Sequence, residues 1–274
     1  MQEYSEEELR FDVAKILREK VPNKKVPKFI VNYLRRIIHE DELNRFMEIH
    51  GRKKNMDFIE GIHDFYDIST TVEGRENLPH GGKYIFVSNH PLGGMDGISL
   101  AYYIGKEYEN KVRIYANDIL LFVRPLNDIF IPINKTGSQA KNNALITQEF
   151  FESDNHLITF PAGACSRKTK GKITDMEWKK NFISKAIQHQ RDIVPIYFEG
   201  RNSNFFYNLA NLRKFLGIKL NIEMLYLADE FAKQRGKHHG IYIGKPISWE
   251  SFDKSKTQAQ WAQWVKDRVY EIKK

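Results

Sequence analysis

The strongest constraint on this chain is a change of period near Gly81. Beyond it, short runs rich in Val, Ile, Phe and Tyr alternate with stretches of helical spacing. That is the pattern of a mainly parallel sheet whose faces are covered by helices. The candidate strands are 84–88, 112–116, 129–133, 157–160, 193–198, 222–227 and 241–243, and the clearest helices are 141–151, 177–190 and 257–272. Ahead of the change, apolar residues fall at helical spacing from Glu6 to about Asn44, with Pro22 and Pro27 as the break between one helix and the next. The expected fold is α/β: a mainly parallel sheet flanked by helices over 81–274, preceded by an N-terminal helical segment over 1–80.

Charge narrows the partners without choosing one. The 274 residues carry a formal net charge of +8, a surplus that favours anionic partners such as lipid headgroups, acidic carriers or nucleic acid. From Lys20 to Arg36 the basic residues Lys20, Lys24, Lys25, Lys28, Arg35 and Arg36 occur with no acidic one. Two readings of this strip stand with equal weight. It belongs to an amphipathic helix that lies on an anionic membrane surface, or to a docked helical pair with a solvated basic edge. No apolar run reaches the roughly 18 residues of a spanning helix, so membrane contact is expected to be peripheral. Cys165 is the single cysteine, which rules out an intramolecular disulfide and makes a cytoplasmic address the default. The start of the chain shows no basic and apolar leader. No zinc-ligand or RNA-recognition spacing accompanies the charge, so nucleic acid is not an expected partner.

The chemistry concentrates in Val87-Ser88-Asn89-His90-Pro91-Leu92-Gly93-Gly94-Met95-Asp96-Gly97, where a buried strand runs into a loop and the next helix. Open α/β sheets bind ligands at the carboxyl ends of their strands. A histidine there takes a proton from an attacking hydroxyl, and a carboxylate fixes its tautomer and stabilises the imidazolium. His90 and Asp96 are the candidate pair. Taken singly, they read as a strand-end histidine and a helix N-cap. Gly93 and Gly94, which let backbone approach a ligand, and Pro91, which stiffens the turn, favour the functional reading.

These residues resemble the first motif of the glycerolipid and lysophospholipid acyltransferase family, an Asn-His separated by four residues from an Asp; here five residues separate His90 from Asp96. The form Asn-His-Pro-Leu-Gly-Gly-Met-Asp-Gly is most similar to the hemolysin-like branch that includes O-acyltransferases of ornithine and glycine lipids. Further matches follow in the family's order, from about Gly81 to Pro195. Arg124 with Ile129-Phe130-Ile131-Pro132-Ile133-Asn134 resembles the second motif, Phe160-Pro161-Ala162-Gly163-Ala164-Cys165-Ser166-Arg167 the third, and Val194-Pro195-Ile196 the fourth. The resemblance implies a glycerol-3-phosphate acyltransferase-like fold and transfer of a fatty acyl group from an acyl carrier protein or coenzyme A thioester to the hydroxyl of a lyso-lipid acceptor. It implies no tightly bound cofactor and work at the inner face of the cytoplasmic membrane.

One departure bears on the acceptor. Phospholipid-making members carry Phe-Pro-Glu-Gly in the third motif, with the glutamate associated with the glycerol phosphate acceptor, whereas Ala162 stands here. An amino-acid lipid is therefore the expected acceptor, with lysophosphatidic acid, or a non-catalytic membrane-binding module of the same fold, as the alternatives. The substrate-binding candidates are Asn89, Gly93, Gly94, Arg124, Gly163 and Arg167. Backbone amides near Gly93 and Gly163 are assigned to the developing oxyanion, and Arg167 to a carboxylate or phosphate, against a solvated basic loop. Cys165 is not expected to be a nucleophile. His63, His238 and His239 show no metal-ligand spacing and are expected in surface loops.

Overall fold

The structure, a computed structural model, describes all residues except 1–4, 6–8, 22–24, 117–119, 121–122, 133–139 and 274. Ile133 and Asn134 of the second motif, with Pro22 and Lys24, lie outside the described residues. The strands are β1 (Ser69–Glu73), β2 (Tyr84–Ser88), β3 (Val112–Ala116), β4 (Phe130–Pro132), β5 (His156–Thr159), β6 (Arg167–Thr169), β7 (Lys172–Thr174), β8 (Asp192–Phe198) and β9 (His238–Ile243). The helices are α1 (Val13–Lys20), α2 (Lys28–Ile38), α3 (Glu40–His50), α4 (Asn55–Tyr66), α5 (Met95–Glu107), α6 (Ala140–Glu152), α7 (Asn181–His189), α8 (Asn204–Phe215), α9 (Leu227–Ala232) and α10 (Gln258–Glu271).

Among the described residues, seven strands form one sheet in the order β1-β9-β8-β2-β5-β3-β4, and β6 and β7 form a separate antiparallel hairpin. Every neighbouring pair in the large sheet is parallel except β8 with β9. The expected mainly parallel α/β fold is therefore the one observed. β2 is covered on both faces, which is why all five of its residues are apolar or small and buried. Phe86 points into a core shared with α4 and α5, while Ile85 and Val87 point into a second core shared with α6, α7 and α10.

Strand order fixes the location of the site. After β2 the chain builds β3, β4 and β5 on one side of it, then returns to place β8 and β9 on the other. β2 is thus a topological switch point, where the connections diverge and leave a crevice at the carboxyl ends of the strands. Because β5 and β8 run parallel to β2, the segments that follow all three emerge at the same edge.

Two local expectations change. Residues 222–227 are not a strand: Ile222–Tyr226 form a 3₁₀ turn that leads directly into α9. Met224 and Leu227, three residues apart, pack on the same cluster of Cys165, Phe206 and Tyr207, a spacing that a helical turn satisfies and a strand does not. Conversely, Ser69–Glu73 within the segment 1–80 forms the edge strand β1, paired with β9. Val72 is its one apolar residue, so a half-solvated edge leaves little hydrophobic pattern to read.

Candidate active site

The crevice is assembled from backbone outward. Where β2 ends, Asn89 extends the pairing to β8 with its side chain: its Oδ1 accepts from Phe198 N (2.7 Å) and its Nδ2 donates to Phe198 O (2.9 Å). The next residue, His90, is held by its main chain. Its N–H donates to Asp175 Oδ1 (3.2 Å) and its carbonyl accepts from Ser166 N (2.7 Å). The imidazole stacks on Phe160, delivered from the end of β5, with ring centroids 4.1 Å apart.

Asp96 sits in the first turn of α5 and turns back under the loop. Its carboxylate accepts from the amides of Leu92 (2.9 Å), Gly93 (3.3 Å), Gly94 (3.0 Å) and Gly97 (3.0 Å), and from His90 Nδ1 (2.9 Å). The side chain of Asp96 is fully buried, whereas that of His90 keeps 17% of its surface exposed. Burial works against ionising Asp96, but the His90 contact and the loop amides outweigh it and hold the carboxyl below its usual range. For His90, burial opposes the charged form. The charge and hydrogen bond of Asp96, with Asp175 behind, prevail and raise its pKa above the ordinary 6.5. An ionised carboxylate has no proton to donate, so the shared hydrogen belongs to His90 Nδ1. Nε2 is then the free base.

A buried carboxylate bonded to an imidazole at a sheet switch point is an arrangement able to move a proton. A family model described as Acyltransferase matches residues 15–274. The chain belongs to the acyltransferase family. It is 53% identical over 263 residues to the lyso-glycine lipid O-acyltransferase of Phocaeicola vulgatus, covering 95% of this chain and 94% of that one. With the protein of the same name from Bacteroides thetaiotaomicron it shares 54% identity over 263 residues, covering 95% and 97%. Among solved structures, the 1-acyl-sn-glycerophosphate (LPA) acyltransferase PlsC of Thermotoga maritima matches 95% of this chain and 88% of its own, with a TM-score of 0.48 and 17% identity.

In this acyltransferase several expected substrate contacts are engaged elsewhere. The amides of Gly93 and Gly94 hold Asp96, and that of Gly163 donates to Phe160 O (2.9 Å). All three amides are thus engaged within the chain, by a buried carboxylate and by a tight turn. Gly93 is required for another reason. Its φ is +80°, and a Cβ there would stand 3.0 Å from Leu227 Cδ2 and 3.1 Å from Cys165 Cβ. Asn89 is likewise committed at both ends to Phe198. Arg124 opens the turn Arg124–Leu126 ahead of β4, packed against α4.

Arg167 does hold a carboxylate, but one from its own chain. Its Nη2 donates to Glu223 Oε1 (3.0 Å) and its Nη1 to Cys165 O (2.6 Å). Glu223, fully buried, also meets Arg213, whose Nε lies 2.8 Å from Oε2 without the alignment of a hydrogen bond and whose Nη2 makes a long bond to Oε1 (3.4 Å). A guanidinium this enclosed needs an anion, and the turn 222–226 supplies it. Burial pushes the Cys165 thiol up to about 11 despite Arg167 beside it, so it is no thiolate near neutral pH.

His63 and His239 are not in surface loops. His63 lies buried in α4, its Nε2 3.3 Å from Ser99 Oγ, and His239 lies buried in β9, its Nε2 3.2 Å from Gln234 Oε1. The exposed His238 of β9 bonds Ser69 and Thr71 of β1. What sequence reasoning missed is Asp175. It accepts from Ser166 Oγ (2.6 Å) and Trp178 Nε1 (2.8 Å) as well as from His90 N, and it fixes the histidine's backbone from 85 residues away. The nearest available signal was the Ser166–Asp175 interval across a short hairpin after the third motif.

Proposed function

We propose that this acyltransferase moves a fatty acyl group from the thioester of acyl carrier protein or coenzyme A to the hydroxyl of a lyso-glycine lipid, with His90 as base and Asp96 as the carboxylate that orients it. The observation that carries the reading is the 2.9 Å contact between His90 Nδ1 and a fully buried Asp96. In the neutral ring this contact places the proton on Nδ1 and leaves Nε2 as the base, on a side chain that keeps 17% of its surface exposed.

In the proposed reaction, Nε2 takes the hydroxyl proton of the acceptor as its oxygen adds to the thioester carbonyl. The imidazolium so formed lies against the Asp96 carboxylate, which stabilises it without taking the proton. The tetrahedral adduct collapses with loss of the thiolate, and the proton on Nε2 passes to the sulfur. Ester and free thiol leave, and the histidine is a neutral base again. Asp175 and Ser166 hold the His90 main chain, so the ring turns only about its side-chain bonds and Phe160 limits that rotation. Proton transfer therefore starts from a fixed geometry.

The choice of acceptor rests on the two relatives, each matched along nearly its whole length, and on Ala162. That residue is 3% exposed and packs into the second core, so at the family's glutamate position there is only a methyl group facing other apolar side chains.

The test is thiol release from acyl carrier protein and acyl-coenzyme A thioesters with a panel of lyso-lipids, using wild type and His90→Ala. The proposal expects release dependent on lyso-glycine lipid in wild type, and a loss of at least about a hundredfold to ten-thousandfold in the variant. Turnover preserved in His90→Ala overturns the mechanism. Preference for lysophosphatidic acid overturns the acceptor.

A further inference from the structure

The apolar surface of the protein is concentrated beside the site. Helix α8 buries Phe206, Tyr207 and Ala210 and turns Phe205 and Leu212 outward, and the chain then runs in the open through Phe215, Leu216, Ile218 and Leu220. Phe215 is 86% exposed and Leu220 73%. Phe205 and Leu212 are seven residues apart and so share a helix face. The only charged residues from Arg201 to Ile222 are Arg201, Arg213, Lys214 and Lys219, all basic. Contiguous apolar surface with a one-sign charged rim is what soluble proteins avoid unless something covers it.

A second segment, distant in sequence, joins the same face. The turn 222–226 packs on both α8 and α2. Tyr226 hydrogen-bonds Tyr33 of α2 through their hydroxyls and meets Phe205 edge-on with centroids 4.9 Å apart. α2 adds Phe29, 73% exposed, between Lys28 and Arg36. On the other flank, Asn211 Nδ2 donates to Lys168 O (3.1 Å), which brings the β6–β7 hairpin with Lys168, Lys170 and Lys172 against α8.

We propose that α2, α8 and the segment 216–222 form one surface that docks on the anionic leaflet of a lipid bilayer, with Phe215, Leu216, Ile218 and Leu220 entering the acyl region and Lys214 and Lys219 meeting headgroup phosphates. Charge selects this occupant. A second copy seated on the same face would set Lys214 and Lys219 against like charges, whereas an anionic leaflet satisfies the apolar tip and its basic rim together. The surface adjoins the site: Leu227, after the turn, closes on Gly93, and Glu223 of that turn bonds Arg167. A lipid acceptor thus reaches the crevice from the plane of the leaflet. Docking does not depend on the acyl-transfer reading, and it is measured without donor or acceptor.

The experiment is co-sedimentation of the full chain with phosphatidylcholine vesicles, with and without phosphatidylglycerol. Wild type and His90→Ala are compared with Phe215→Ser/Leu220→Ser and Lys214→Glu/Lys219→Glu, each checked for fold by circular dichroism. Wild type and His90→Ala should bind the anionic vesicles alike. The apolar double variant should bind at least about tenfold more weakly at all salt concentrations. The charge variant should lose about tenfold or more at low salt and much less once salt screens the headgroups. Unchanged binding in the variants, or no vesicle binding by wild type, overturns the proposal. So does a wild-type dimer in light scattering that the same substitutions dissociate, because a second copy then covers the face.

Discussion

Asp96 and Glu223 of this acyltransferase are both fully buried, and they are held in opposite ways. Asp96 is held by four backbone amides and one imidazole; Glu223 is held by two guanidinium groups, those of Arg167 and Arg213. Amides are neutral, so the negative charge of Asp96 remains and is felt by His90, whose pKa it raises. Two arginines more than balance one glutamate, which leaves Glu223 no charge to lend. It locks the turn 222–226 against the hairpin that begins at Arg167. The lesson is that burial alone does not mark a carboxylate as functional; the identity of its partners does.

The largest effect that would break this distinction is in turnover. Asp96→Asn keeps the shape but removes the charge and sets an NH₂ group against amides that already donate. It should cost about a hundredfold to ten-thousandfold in kcat, with a smaller change in KM. Glu223→Gln should leave kcat within about tenfold of wild type. Comparable losses in the two variants would show that Glu223 also acts on the chemistry.

In stability the order reverses. Glu223→Ala strands two enclosed guanidinium groups and should cost about 3–5 kcal/mol, the range for breaking a buried ion pair from one side. Replacing Asp96 by Asn should cost about 1–3 kcal/mol, the penalty for a buried donor left without an acceptor. Urea unfolding of both variants gives the comparison directly, and a Glu223→Ala protein as stable as wild type would remove the bolt from the account.

The pH profile sharpens the same contrast. Because Asp96 raises the pKa of His90, the acidic limb of kcat/KM should have its midpoint above 6.5. Activity should climb as pH rises through that value and the imidazolium deprotonates. In Asp96→Asn the limb should move to lower pH by about one unit or more, the size of shift typical of a nearby opposite charge, while Glu223→Gln leaves it in place. A limb that stays put in Asp96→Asn would mean that the titrating group is not His90.

The difference between the two carboxylates also explains what the sequence could reveal. His90 and Asp96 are six residues apart on one loop, so strand, turn and helix start define their meeting locally. The partners of Glu223 come from residues 56 and 10 positions away, and Asp175 reaches His90 across 85. No spacing encodes such contacts, because tertiary packing creates them. The same limit accounts for Arg167, assigned from sequence to a substrate carboxylate or phosphate, whose partner in the structure is Glu223 of the turn 222–226. It accounts as well for the misread strand at 222–227, whose apolar residues serve a cluster formed by Cys165 and Phe206. The central strands were legible because burial on both faces leaves continuous Val, Ile and Phe runs. β1, half in solvent, left no such run.

The smallest predicted effect extends the comparison to histidines. His63 bonds the hydroxyl of Ser99 rather than a carboxylate. Burial, with His239 adding to it, holds its pKa down to about 4, and burial does the same to His156, whose Nδ1 accepts from Tyr84 N (3.2 Å). For these two the folded pKa lies below the unfolded value near 6.5. The unfolded chain therefore binds protons first as pH falls, and stability is lost between about pH 6.5 and 4. His90, with a raised pKa, has the opposite sign: its contribution is complete below about 6.5 and is lost as pH rises through its folded value. His63→Gln keeps a polar side chain near Ser99 but removes the titration. Its unfolding free energy should fall less between pH 7 and pH 5 than that of wild type, by about 1–2 kcal/mol. If the two proteins lose the same amount, His63 titrates alike in the folded and unfolded states, and the contrast between a histidine with a carboxylate and one without would not hold for this pair.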